Sequence, residues 1–241
     1  MKTILFADID DSLVYSVRTL TDHALRAEVG AYKNDGSINS YFTPKSLQLL
    51  AQFKDMLIIP VTGRTYQSLL NVTLPFDGFK VIAHGNIILD ENNHFVDDYN
   101  PSTNNPFAAQ NTELFAQYKS LLKQRLGTQA DGLRMNVVSE LGINCYLSIK
   151  GDSHLIDQVY AIVKDFMPGP IVHMNNRNIA ILPEQKTKMT AVTYLMDKLK
   201  KQYGELFTIG LGDSHSDLPF MQLCDYLIYP QQSQIAEAHY A

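Results

Sequence analysis

The chain has 241 residues, 45% of them hydrophobic, which is enough apolar material for one large core or two modest ones. A formal net charge of −5 with no run of Lys or Arg argues against a nucleic-acid partner, whose phosphate backbone is bound by concentrated positive charge. Two distant cysteines, Cys145 and Cys224, fit buried thiols, and the apolar run near the N-terminus is too short for a secretory leader or a membrane span, so a soluble cytoplasmic protein is expected.

Residues 3–7 (TILFA) form a short apolar run that ends abruptly in acids, which fits a buried strand carrying Asp8 at its carboxyl end. Thr43-Pro44 makes a helix start, with Leu47, Leu50 and Phe53 following at helical spacing. A second buried strand, LIIPVTG over 57–63, ends at Thr62-Gly63, a helix begins near Arg64, and VIAHG at 81–85 reads as a third strand. Residues 86–106 are rich in Asn, Asp and Pro, with ILD and HFV as hairpin strands. A helix over 111–126 carries the stripe Leu114, Phe115, Tyr118, Leu121 and Leu122. A strand pair near 133–150, a helix near 154–166 and strands near 170–174 and 178–182 follow, the last two around a turn at Asn175-Asn176-Arg177. From Pro183 the pattern alternates again: a helix over 188–202, a strand at 207–212 running into Asp213, a short helix, and a strand at 226–230.

The expected class is α/β. Segments 1–83 and 183–241 should close into one doubly wound parallel sheet, with an α+β domain, 84–182, inserted between them. The stretch from Tyr15 to Phe42 is longer than a βα loop requires and reads equally as a flap over a site or as a peripheral helix with a polar loop.

Four short motifs fall at strand ends or helix starts: Asp8-Ile9-Asp10-Asp11-Ser12, Val61-Thr62-Gly63-Arg64, Lys188, and Gly212-Asp213-Ser214-His215-Ser216-Asp217. In an open α/β sheet the crevice lies beyond the carboxyl ends of the strands, so the four can meet. Asp8, Asp10, Asp213 and Asp217 together would repel one another unless a cation neutralised them. An all-oxygen donor set suits Mg²⁺. A carboxylate can attack phosphorus, a second one two residues on can move a proton, and Lys188 with the Thr62 hydroxyl can hold phosphoryl oxygens, together with Gly63 and Arg64 beside them. Each element has a plainer reading: Asp-x-Asp as a turn, Thr62 as a strand-end β-branched residue, Lys188 as a solvated helix residue with Lys186 as competitor, Asp213 and Asp217 as caps. Arg64 reads equally as a substrate contact or as a solvated residue at a helix start. His84 and His215 read as local hydrogen-bonding groups.

In these motifs and their order the sequence resembles the haloacid dehalogenase superfamily, in particular its Cof-type and sucrose-phosphatase-like group with an inserted C2-type cap. The resemblance implies Asp8 as nucleophile, Asp10 as general acid and base, Thr62 and Lys188 as phosphoryl-holding groups, and Asp213 with Asp217 as the acidic motif. It implies Mg²⁺ held by Asp8, the Asp10 carbonyl and Asp213, and a small substrate, a sugar phosphate by cap type. Asp11 stands where the family usually has Gly, Ser12 where it has Thr, Ser216 where many members have Asn, and His84-Gly85-Asn86 in place of an Asn-Gly pair. A phosphosugar mutase uses the same chemistry, and a non-catalytic phospho-accepting or binding module remains a further reading. Neither the oligomeric state nor the individual substrate is legible.

Overall fold

A computed structural model describes residues 1–99, 106–167, 171–175, 177–184 and 186–240. They form two compact units, Met1–Asn100 with Lys188–Ala241, and Pro101–Thr187.

The first unit is built on four parallel strands in the order Tyr226–Ile228, Leu206–Leu211, Lys2–Ala7, Leu57–Pro60. Lys2–Ala7 is paired on both sides, and its Ile4, Leu5, Phe6 and Ala7 are fully buried, which explains a continuous apolar run with no alternation. Pro60 ends its strand, where the missing N–H disturbs the ladder least. Helix Pro44–Gln52 starts as expected: the Thr43 hydroxyl accepts the Ser46 N–H, the Ser46 hydroxyl accepts the Thr43 N–H, and Pro44 occupies the first turn. Helix Lys188–Tyr203 buries Ala191, Val192, Leu195, Met196 and Leu199, a stripe at helical spacing, in a core shared with Ile4, Phe6, Ile59 and Phe220. Cys224 lies in that core. Gly210 lets the strand approach the helix Leu218–Met221, since a Cβ there would sit 2.8 Å from the Met221 Cα.

Two elements differ from the sequence reading. The ILD run does not open the inserted domain. Strand Ile87–Leu89 pairs with Lys80–Ile82, which continues the parallel sheet through a bridge from Val61 to Val81. Ile87, Ile88 and Leu89 are completely buried, so this hairpin stays with the first unit and the units part at Asn100 and Lys188, not at 84 and 182. The segment after Asp10 contains a three-stranded antiparallel sheet of Tyr15–Ser16, Ile38–Tyr41 and Val29–Tyr32 in that order, with only a short 3-10 turn, His23–Leu25, in place of a peripheral helix.

The second unit has a four-stranded antiparallel sheet in the order Ile171–Asn175, Asn178–Leu182, Ile143–Lys150, Arg134–Glu140. In Ile143–Lys150 the inward residues Cys145, Leu147 and Ile149 alternate with half-buried ones, the period-two pattern of a sheet covered on one face. Helices Pro106–Leu126 and Ser153–Phe166 supply Phe115, Leu122, Ile156, Val159 and Val163 to the same core as Leu147, Ile149, Ile179 and Ile181. Asn176, at the middle of the expected turn, and part of the Asn- and Pro-rich stretch before 106 lie outside the described residues. No described helix is long and apolar enough to cross a membrane.

Candidate active site

The carboxyl ends of the two central strands place Asp8 and Asp213 side by side, since Ala7 and Leu211 are register partners and the Asp8 N–H donates to the Leu211 carbonyl. The N-terminal residue of helix Lys188–Tyr203 reaches the same spot. Lys188 Nζ donates to Asp8 Oδ1 and to Asp217 Oδ1, each at 2.6 Å, with all three side chains buried. Lys188, not its neighbour Lys186, therefore supplies the cation. Asp217 has both oxygens engaged: Oδ2 accepts the N–H of Ser214 at 3.0 Å, its hydroxyl at 2.7 Å, and the Asp213 N–H at 3.3 Å. It organises the loop as well as pairing with Lys188. Asp213 is held more loosely, by the Ser12 hydroxyl at 3.2 Å, and the same hydroxyl lies 3.4 Å from Asp8 Oδ2.

Of the four expected carboxylates the structure brings three together: oxygens of Asp8, Asp213 and Asp217 all lie within 4.8 Å of one another. The Asp10 side chain is not among them. Its two oxygens accept from Arg64 Nε at 2.8 Å and Nη2 at 2.7 Å, and it is 51% exposed while Arg64 is 5%. The reason is the guanidinium: buried and always charged, it requires a carboxylate, and Asp10 presents the matching fork. Arg64 also donates to the Ser68 carbonyl. Its guanidinium is thus spent inside the protein, against the reading of a solvated residue.

Thr62 is fully buried beside this cluster, and its hydroxyl accepts the Arg64 N–H at 3.1 Å. Its own proton goes to no described residue, so it is available to a ligand. Gly63 packs under the His84 ring, and a Cβ at 63 would meet ring atoms at 2.4 Å. The loop is fixed against the turn Ala83–Gly85 by Ala83 N–H to the Arg64 carbonyl and His84 N–H to the Thr62 carbonyl. Sequence reasoning gave His84 only a local role and assigned none to Ser12 or Ser214. Their signal, a hydroxyl within four residues of a strand-end acid, is too common to stand out.

The electrostatics expose an imbalance. Burial works against the Lys188 ammonium, but Asp217 and Asp8 outweigh it and hold the pKa above the ordinary lysine value. Burial alone would raise Asp217; Lys188 and the Ser214 donors hold it low instead. Asp8 stays well above the usual carboxylate range, from burial and from Asp217, Asp213 and Asp10, despite Lys188. Asp213 is pushed up to about 7 by burial and by the charges of Asp217 and Asp11. Three carboxylates thus face one ammonium, and burial with their mutual repulsion presses Asp8 and Asp213 toward their neutral forms. An all-oxygen donor set with surplus charge fits a hard divalent cation such as Mg²⁺.

A testable pH dependence follows. A carboxylate whose pKa is raised on folding favours the fold at low pH and ceases to as pH rises through its folded value, because the native state binds more protons. Metal-free protein should therefore lose stability between about pH 4 and pH 7, the interval from an ordinary Asp to Asp213. Mg²⁺ should raise the thermal midpoint more at pH 8 than at pH 5. Thermal melts with Mg²⁺ and with chelator at both pH values measure it, and an equal Mg²⁺ effect at the two would contradict the assignment.

No protein-family model matches the sequence, and no curated protein matches it significantly. Solved structures do match the fold, which is that of haloacid dehalogenase superfamily phosphatases, as the motif resemblance implied. The chain is similar to the sucrose-phosphatase of Synechocystis, solved with sucrose and phosphate, at a TM-score of 0.56 and 17% identity over 100% of this chain and 87% of that one. It also resembles the C-terminal domain of C. albicans trehalose-6-phosphate phosphatase, with a TM-score of 0.55 and 14% identity over 92% and 72% of the respective chains. A phosphatase of the superfamily from Bacteroides thetaiotaomicron gives 0.53 and 13% over 100% and 94%.

Proposed function

We propose that the chain is a Mg²⁺-dependent phosphomonoester hydrolase that accepts the phosphoryl group on Asp8, with a sugar phosphate as substrate class. The observation that carries this reading is the buried Lys188 ammonium bridging Asp8 and Asp217 at 2.6 Å beside Asp213. A purely structural ion pair has no need of a second and third carboxylate. In this reading an Asp8 oxygen attacks phosphorus, the bond to the leaving oxygen breaks, and Asp10 gives that oxygen a proton. Water then attacks the phosphorus of the aspartyl phosphate, Asp10 takes the proton, and the Asp8 carboxylate leaves. Lys188 and the free Thr62 proton offset charge on the phosphoryl oxygens throughout. Asp8 and Asp213, with the Asp10 carbonyl, would hold the metal, with Asp217 orienting the loop. When bound, Mg²⁺ supplies further positive charge to the phosphoryl group. The sugar-phosphate class rests on the motif resemblance and on the sugar-phosphatase neighbours, and a location inside the cell accords with such a substrate.

Asp8, Thr62, Lys188 and Asp213 would act on the phosphoryl group and Asp10 on the leaving oxygen, features that every phosphomonoester shares. We therefore assign catalysis to Met1–Asn100 with Lys188–Ala241 and substrate selection chiefly to the inserted unit, Pro101–Thr187. The test is hydrolysis of an aryl phosphate and of a panel of sugar phosphates with Mg²⁺ and with chelator. Metal-dependent release of inorganic phosphate is expected; an isomeric phosphosugar as sole product would indicate a mutase, and inactivity on every ester would refute the reading.

Asp10 must leave the Arg64 fork to reach a leaving oxygen. Asp10→Asn should therefore slow an alkyl phosphate by about a hundredfold or more and an aryl phosphate far less, because a good leaving group needs little protonation. Steady-state kinetics on the two ester types measures the split. Equal losses would show that Asp10 acts only by holding Arg64.

A further inference from the structure

The proposed chemistry makes no use of Asp11. Its backbone is left-handed, at φ 57°, in the turn where its N–H donates to the Val14 carbonyl at 2.8 Å. Glycine adopts this conformation without strain. The aspartate is strained, half-buried, and adds negative charge beside a cluster that already has a surplus. In return its carboxylate accepts one long hydrogen bond, from the Thr19 hydroxyl at 3.3 Å. Such a residue costs the fold more than it gives, the usual mark of a ligand-binding position.

Its surroundings indicate the ligand. Tyr15, on the strand that follows the turn, is half-buried, and burial together with the charges of Asp11 and Asp213 raises the pKa of its hydroxyl. The Asp11–Val14 turn bond brings the chain back beside Asp11 just before Tyr15, and the Tyr15 hydroxyl bonds to no described residue. A carboxylate that accepts and a phenol that donates or accepts suit hydroxyl groups, which do both. A phosphoryl group, or a leaving group bearing a carboxylate or a second phosphate, would be repelled by Asp11.

We propose that Asp11 and Tyr15 bind hydroxyls of an uncharged, hydroxyl-rich leaving group and discriminate against anionic ones. The proposal rests on the phosphatase reading and narrows its substrate class. At saturating Mg²⁺, Asp11→Gly should lower kcat/KM for the best hydroxyl-rich phosphate by about tenfold to a hundredfold, mainly through KM, since a hydrogen bond to a charged group is lost. p-Nitrophenyl phosphate, which has no hydroxyl to offer, should change by less than about threefold. Tyr15→Phe should show the same selective loss to a smaller degree. Asp11→Asn, which tolerates the left-handed backbone, should turn over carboxylate-bearing phosphates better than the wild type does. The thermal midpoint of Asp11→Gly should equal or exceed that of the wild type. Equal losses on both esters, or no change on either, would overturn the proposal while leaving the phosphatase reading intact. A wild type inactive on p-nitrophenyl phosphate and on every other ester would overturn both.

Discussion

Asp8→Asn is expected to fold, and to lose phosphomonoester turnover by at least about a thousandfold, the scale of removing a covalent nucleophile. The isosteric amide keeps the side-chain volume but cannot form the acyl phosphate. Stability should move the other way. Burial and the neighbouring acids press Asp8 toward its neutral form even with Lys188 attached. A neutral amide removes that repulsion and leaves Lys188 paired with Asp217 at 2.6 Å. The metal-free thermal midpoint should therefore match or exceed the wild-type value. Rapid-quench trapping of a phosphoprotein in the wild type and its absence from the variant would complete the assignment. Retention of more than about one per cent of kcat by purified Asp8→Asn would place the nucleophile elsewhere.

Lys188→Met should be the most damaging single change to both fold and chemistry. Methionine preserves the stem but leaves Asp8, Asp213 and Asp217 without a cation in a buried site. Removing one partner of a buried ion pair costs about 3–5 kcal/mol, because the remaining charge is desolvated and unpaired. In a protein of this size that is on the order of a 10 °C fall in thermal midpoint. The loss should be greatest at pH 8, where all three acids are pressed to ionise, and smaller at pH 5, where protons replace the missing ammonium. Excess Mg²⁺ should recover stability more fully than activity, since it neutralises the acids without restoring a donor to the phosphoryl oxygens. A variant as stable as the wild type at pH 8 in chelator, with kcat within about threefold, would remove Lys188 from the centre of the site.

The fold was legible wherever one element's own pattern decided its place. The TILFA run ending at Asp8, the Thr43-Pro44 helix start and the stripe on helix Lys188–Tyr203 carried their burial and boundaries on the surface of the sequence. The hairpin at Ile87–Leu89 was not legible, because a fully buried apolar run carries no period to say which core it joins. The sheet after Asp10 was missed as a sheet because its strands are two to four residues long, too short for alternation to register. At the site, strand-end acids and a helix-start lysine located Asp8, Asp213, Asp217 and Lys188, whose positions follow from the elements that carry them. The direction of the Asp10 side chain did not follow. It depends on Arg64, remote in sequence, whose burial only the packed core decides.

The pairing of Asp8 with Lys188 spans 180 positions, and an entire second core lies between the two. During synthesis the strand Lys2–Ala7 can pair early with Leu57–Pro60 but must wait for its other neighbour, Leu206–Leu211, whereas the antiparallel sheet of the inserted unit finds its partners within a local stretch of chain. A nascent segment therefore holds Lys2–Ala7 with one of its two ladders, and Asp8 without its counterion, until the stretch from Lys188 to Leu211 has appeared, although Asp10 already has Arg64. Distant pairings of this kind are slow to form and exposed while they wait. The arrangement that brings Lys188 and three acids together therefore also makes their cluster late to assemble.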